Sequence, residues 1–327
     1  MTLLVFVVAF ALLFDFTNGF HDTANAVATS VSTRALSPRL AVLVAALANL
    51  GGAFATTAVA KTVGSGIVDS GLATEKTVFA AVIGGIVWNV ITWWAGLPSS
   101  SSHALIGGLI GAALAQSGRS GVLWHGVAHK VVIPALWAPT IAFAGGFVLL
   151  LAILWTFQRL TPGIANRGFR LGQLASGTWM AFTHGANDAQ KTMGVIALAL
   201  FSEGKISSFY IPTWVKVAAG LAIAAGTYSG GWRIIRTLGQ RVYQMEPPSG
   251  FAAQLTAGAV IWGSTKYGYP LSTTHVISGA VMGTGATRRL SAVRWGVAGN
   301  IVVAWILTLP AAALVAAACY WPIEGLF

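Results

Sequence analysis

Two short polar motifs each occur twice in this 327-residue chain, and they hold most of the side chains that could do chemistry. Gly96-Leu97-Pro98-Ser99-Ser100-Ser101-Ser102-His103 returns as Gly268-Tyr269-Pro270-Leu271-Ser272-Thr273-Thr274-His275. Upstream of each lies the other motif, Asn18-Gly19-Phe20-His21-Asp22-Thr23-Ala24-Asn25 and His184-Gly185-Ala186-Asn187-Asp188-Ala189-Gln190-Lys191. Of only 8 carboxylates, Asp15, Asp22 and Asp188 fall inside apolar runs, where an ionised group is costly unless paired or solvated. A helix places Asp22 and Asn25 on one face. Their oxygens suit a hard cation, or a proton taken up by the carboxylate. Asp188 and Lys191 hold the same positions in the second copy, with an ammonium replacing the amide. That ammonium can pair with Asp188, face an anion, or snorkel to an interface. Asp15 has no acidic counterpart in the other half, and both a structural and a functional reading of it stay open.

In the hydroxyl-rich motifs, Pro98 and Pro270 each precede a run of Ser and Thr that leads into an apolar segment. Helix capping alone accounts for those residue types. Placed at mid-membrane, the same helix starts offer free backbone N–H groups and the positive end of the helix dipole. Ser101, Ser102, Thr273 and Thr274 add hydroxyl donors without net charge. Two such ends meeting from opposite leaflets suit a small tetrahedral oxyanion, with phosphate and sulfate equally acceptable. His103 and His275 follow the hydroxyls and either contact the anion, carry a proton, or bond a neighbouring carbonyl. Asn187 joins Asp22 and Asp188 among the candidate coupling groups, while His21 and His184 do not align with each other and rank lower. His125 and His129 lack a nearby third ligand and read as a loop face, so no metal site is assigned. No nucleophile–base pair is visible, and the chain does not read as an enzyme.

The elements that position these groups must sit in lipid. Charged side chains make up 8% of the sequence and hydrophobic ones 56%, too few charges to cover a soluble surface. The net charge of +11 is dispersed between apolar runs, which excludes a nucleic-acid stripe and reads as topology signals. A single cysteine, Cys319, excludes an internal disulfide. Thr2 to Phe14 lacks the basic start and cleavage site of a signal peptide and reads as a retained helix. Apolar segments are expected at 2–31, interrupted near Asp15 to Asp22, then 40–60, 78–96, 98–116, 131–157, 174–200, 213–231, 251–269, 270–286 and 292–318.

The pairs 78–96 with 98–116 and 251–269 with 270–286 have almost no connector, which predicts re-entrant hairpins. With that assignment Arg34, Arg39, Arg159, Arg167, Arg170, Arg233, Arg236, Arg241, Arg288, Arg289 and Arg294 fall inside. Lys61, Lys76, Arg119, Lys130, Lys205 and Lys216 fall outside, as the positive-inside rule asks. The hairpins then enter from opposite leaflets and both termini are extracytoplasmic. The expected architecture is all-α and polytopic: inverted repeats at 1–157 and 174–327, each with a broken helix and a hairpin, joined by a cytoplasmic linker at 158–173.

The stretches GFHDTANAVATSVSTRAL (19–36), GLPSSSSHALIGGLIGA (96–112), FTHGANDAQKTMGVIALAL (182–200) and GYPLSTTHVISGAVMG (268–283) resemble the PiT family of inorganic phosphate transporters, in particular its bacterial low-affinity permeases. The resemblance covers most of the chain. It implies a multi-pass symporter of the cell membrane, usually a homodimer, without a cofactor beyond its coupling ion. By position, Asp22, Asn25, Ser101, Ser102, Asp188, Thr273 and Thr274 are expected to line the phosphate and cation sites. One departure stands out: sodium-coupled members tend to keep Asp-x-x-Asn in both halves, whereas the second half here carries Lys191. That implies the bacterial branch, regarded as proton-coupled and able to carry divalent metal–phosphate complexes. Sodium coupling and sulfate transport remain alternatives within the family, and a passive anion channel is an alternative of another class.

Overall fold

The computed structural model describes residues 2–327; Met1, where the expected first repeat begins, lies outside the described residues. Helices α1 (Thr2–Ser32), α2 (Pro38–Gly52), α3 (Ala58–Ser65), α4 (Glu75–Ala95), α5 (Ser101–Ser117), α6 (Trp124–Val127) and α7 (Ile133–Thr156) build the first half. The second comprises α8 (Pro162–Ser202), α9 (Thr213–Ser229), α10 (Trp232–Arg236), α11 (Pro247–Lys266), α12 (Thr273–Arg288) and α13 (Trp295–Leu326). One isolated bridge, Val68 with Val122, is the extent of β structure among the described residues. Residues 3–32, 75–95, 124–156 and 295–326 are helices long and apolar enough to cross a membrane, so the chain is a multi-pass membrane protein.

Local chemistry sets the helix ends. Pro38 at the first turn of α2 supplies the φ a helix start needs, and Thr74 and Thr77 close a capping box at α4. α4 stops at Gly96, whose φ of 66° is left-handed, and α11 is followed by Gly268 at 72°. Both lead into the hairpin tips, where a side chain would be strained.

Three expectations are corrected. α1 and α8 run unbroken through the Asp22 and Asp188 motifs, so neither motif sits at a helix break. Neither motif contains a proline, and its glycine serves packing rather than unwinding. α8 also begins at Pro162, so much of the segment expected as linker is helical. The 40–60 segment divides into α2 and α3.

The internal symmetry is written in backbone contacts. At Gly19 a Cβ would stand 2.4 Å from the Ile223 carbonyl oxygen of α9; at Gly185 it would stand 2.2 Å from that of Asn49 in α2. Gly107 meets Leu309 of α13 and Gly279 meets Pro139 of α7 in the same manner, each at 2.4 Å. Small residues that let backbones touch hold helices together in lipid, where apolar surface drives no association. Gly185→Ala is therefore expected to force α8 and α2 apart, costing about 1–3 kcal/mol. Thermal unfolding in detergent checks this against Gly163→Ala, a position with open space around it.

Two apolar cores lie on either side of a polar belt. One gathers Leu3 to Phe14, Val59 to Val68, Leu105 to Ala113 and Ala189 to Leu200. The other gathers Ala24 to Ala28, Met180, Ala181, Ile234 to Met245 and Val276 to Met282. The motif residues of α1 and α8 fall between them.

Candidate functional site

The tips of the two hairpins meet in the polar belt. α5 starts at Ser101, capped by Ser100, whose hydroxyl accepts from the His103 N–H at 3.1 Å. α12 starts at Thr273, capped by Ser272, which accepts from the His275 N–H at 3.2 Å. The caps take the third N–H and leave those of Ser101, Ser102, Thr273 and Thr274 without helical acceptors. The Ser102 hydroxyl donates to the Leu271 carbonyl at 3.0 Å, and the His103 and His275 rings lie edge to face, 4.8 Å apart. The two helices touch at these starts and diverge from them.

α1 and α8 bring the charges. The Asn25 amide donates to the Thr273 and Thr274 hydroxyls at 3.2 and 2.9 Å. Thr273 Oγ1 lies 3.3 Å from Asp22 Oδ2 and 3.4 Å from Asp188 Oδ2, so one hydroxyl bridges both carboxylates. The Lys191 ammonium donates to Asp188 Oδ1 at 2.6 Å, to the Leu271 carbonyl at 2.9 Å, and to the Ser102 hydroxyl. Asn187 turns to the other flank, donating to Thr265 Oγ1 at 2.8 Å and the Tyr269 carbonyl at 3.1 Å. Ser101, Ser102, Thr273, Thr274, Asn25, Lys191, Asp22 and Asp188 are all buried. The Ser101 hydroxyl has no partner and remains a free donor at the tip.

The histidines divide differently from the sequence ranking. His21 Nδ1 sits 2.7 Å from Asp22 Oδ1, with Nε2 3.1 Å from Thr92 Oγ1. His184 Nε2 lies 3.4 Å from Asp188 Oδ2 and 3.9 Å from Asp22 Oδ2, while Nδ1 meets Asn49 Oδ1 at 2.9 Å. His103 and His275 bond neither carboxylate. The His275 ring stacks on Trp305 at 4.0 Å, and both line an apolar cavity of about 350 Å³ between α7 and α13. The signal for His21 and His184 was adjacency to the aspartates; asymmetry between the copies hid it. Asn49, Thr92 and Thr265 gave no signal, being single polar residues in apolar segments.

Chemically, Asp22, His184 and Asp188 place three ligand atoms within 4.8 Å of one another, a set able to hold a cation or share a proton. Beside them stand an ammonium and two helix N-termini, which attract an anion. A buried cluster carrying charges of both signs, set between the helices of a multi-pass protein, is the arrangement of a solute transporter.

Residues 18–164 and 160–316 each match the profile of the phosphate transporter family, and this chain belongs to that family. It is 53% identical over 324 residues to a Mycobacterium tuberculosis protein described as "Probable low-affinity inorganic phosphate transporter", spanning 97% of this chain and 77% of the relative. Proteins of the same description from Rhizobium meliloti (50%; 98% and 96% covered) and Bacillus subtilis (43%; 100% and 99%) are also similar. A solved structure described as "The sodium-dependent phosphate transporter" superposes over the whole of both chains with a TM-score of 0.87 at 24% identity, which shows a shared fold. The chain is a transporter, not an enzyme.

Proposed function

We propose that this chain is a secondary active symporter that imports inorganic phosphate with protons, holding the anion between the tips of α5 and α12. The observation that carries this reading is the convergence of both hairpin tips on Asp22, Asp188 and Lys191 in one buried cluster. Ser101, Ser102, Thr273, Thr274, Asn25 and Lys191 supply donors to the phosphate oxygens. Asp22 and Asp188 take up the coupling charge, with His21 and His184 as their direct partners. Phosphate retains a proton at neutral pH, so an acceptor beside the site favours it over sulfate.

The Lys191 ammonium fixes a positive charge 2.6 Å from Asp188 Oδ1. It repels a sodium ion at that carboxylate and supports proton coupling. The hairpins act as re-entrant elements from opposite leaflets, both termini extracytoplasmic, and the tips at 98–104 and 270–275 are buried in protein, as such elements require. The working form is a homodimer in the cell membrane, and a divalent metal–phosphate complex is a further cargo.

Radiolabelled phosphate uptake into proteoliposomes, with pH and sodium gradients imposed separately, tests the proposal. An inward pH gradient is expected to drive accumulation that an uncoupler collapses and excess sulfate leaves intact. Accumulation driven by sodium alone defeats the proton reading. Equilibration without accumulation makes the protein a channel, and displacement by sulfate reassigns the anion.

A further inference from the structure

Besides Lys191 in place of Asn25 and the unaligned histidines, the symmetry of the central site fails at one further place. Seven residues before Asp22 stands Asp15, but seven before Asp188 stands Ala181; four after Asp188 stands Thr192, but four after Asp22 stands Ala26. Asp15 and Thr192 are fully buried, and so are Ala181 and Ala26. The two departures meet, since α1 and α8 run antiparallel and Thr192 and Asn18 are the polar neighbours of Asp15. The polar belt therefore extends one turn beyond the site toward the start of α1, where unpaired polar groups sit, whereas on the opposite side alanines come first and polar groups beyond them are bonded to one another.

Asp15 makes no hydrogen bond through either oxygen, and Asn18 and the Thr192 hydroxyl are likewise unpartnered. An ionised carboxylate stripped of water, donors and counter-ion is among the costliest groups to bury, whereas a neutral carboxyl is tolerated. The charged groups that face it are both on α8, Asp188 and Lys191. α4 brings only Glu75 and Lys76 and α9 only Lys216, all at helix starts, and none forms an ion pair with Asp15 among the described residues.

We propose that Asp15 is a proton-binding station on the α1-start side of the anion site, with Thr192 and Asn18 as its polar neighbours. The step moves one proton: a hydronium ion on the extracytoplasmic side gives it to the Asp15 carboxylate, leaving water behind and a neutral carboxyl in the protein. Asp15, Asp22 and Asp188 outnumber Lys191 by two negative charges when ionised, and a proton on Asp15 leaves one. An anion then binds more tightly, and by linkage its binding holds the proton. This rests on the proton-symport reading and assigns the residue through which the proton enters.

The experiment compares wild type and Asp15→Asn in proteoliposomes by net phosphate uptake under an inward pH gradient and by phosphate–phosphate exchange at equal pH. Asp15→Asn is expected to lose net uptake about tenfold more than exchange, and the dependence of its KM on external pH is expected to flatten. Asp15→Glu is expected to restore gradient-driven uptake. A wild-type ratio and pH profile in Asp15→Asn overturn the proposal, as does equal loss of both activities. If Asp15→Asn does not yield monodisperse protein, Thr192→Val, which removes the polar neighbour of Asp15 on α8, reads the same ratio, and an unchanged ratio there overturns the proposal. Wild type that ignores the pH gradient sinks the symport reading itself, a result separable from failure at Asp15 alone.

Discussion

Phosphate uptake by Asp22→Asn and by Asp188→Asn is expected to fall to about one hundredth of wild type or less, because each carboxylate belongs to a buried charge cluster whose disruption costs about 3–5 kcal/mol. The two variants fail for different reasons. Asn in place of Asp188 leaves the Lys191 ammonium with Ser102 and the Leu271 carbonyl and no counter-charge. Asn in place of Asp22 leaves His21 beside a neutral amide and removes one of the two acceptors that Thr273 bridges. The amide keeps the side-chain shape, so monodisperse protein is expected from both. Proteoliposome uptake beside size-exclusion profiles is the measurement, and wild-type uptake in both variants would remove the carboxylates from the mechanism.

Lys191→Met is expected to lower both stability and transport. The thioether nearly matches the length of the lysine stem but cannot donate to Asp188, Ser102 or Leu271. Asp188 is left within reach of a second carboxylate through Thr273, with no cation beside it. The expected cost is about 3–5 kcal/mol, read as a lower thermal midpoint, together with loss of phosphate uptake. Lys191→Arg is not expected to rescue, since a planar fork cannot occupy the room of an ammonium among three acceptors. A midpoint and uptake equal to wild type would show that Lys191 only fills space.

Much of this arrangement was legible beforehand, and residue type explains why. A glycine-proline-hydroxyl run at two places in an apolar chain has few explanations, and the expected meeting of the two runs is seen where Ser102 and Thr273 join one buried cluster through Lys191 and Asp188. What escaped was the way polar groups are satisfied. A helix break was expected at each aspartate motif, yet Gly19 and Gly185 bring a second helix into contact, and side chains from the helix against Gly185, such as Asn49, do the bonding. Gln190 likewise escaped: its carbonyl accepts from the Val59 and Ala60 N–H groups and fixes the start of α3. Such partners lie more than a hundred positions away, and periodicity within one segment carries no trace of them.

The glycine contacts also constrain how the protein can move. α1 is fastened to α9 and α8 to α2, while α5 is fastened to α13 and α12 to α7, so these four seams each join one copy of the duplication to the other, beside seams such as Gly108 against Ala81 that hold one copy together. The copies are interlaced, like fingers of two clasped hands, and cannot rock as separate bodies without tearing four seams. Sliding surfaces must instead run between composite units, each assembled from both copies. A break in the chain between the duplicated segments should accordingly be tolerated when both pieces are made together, and neither piece should fold alone.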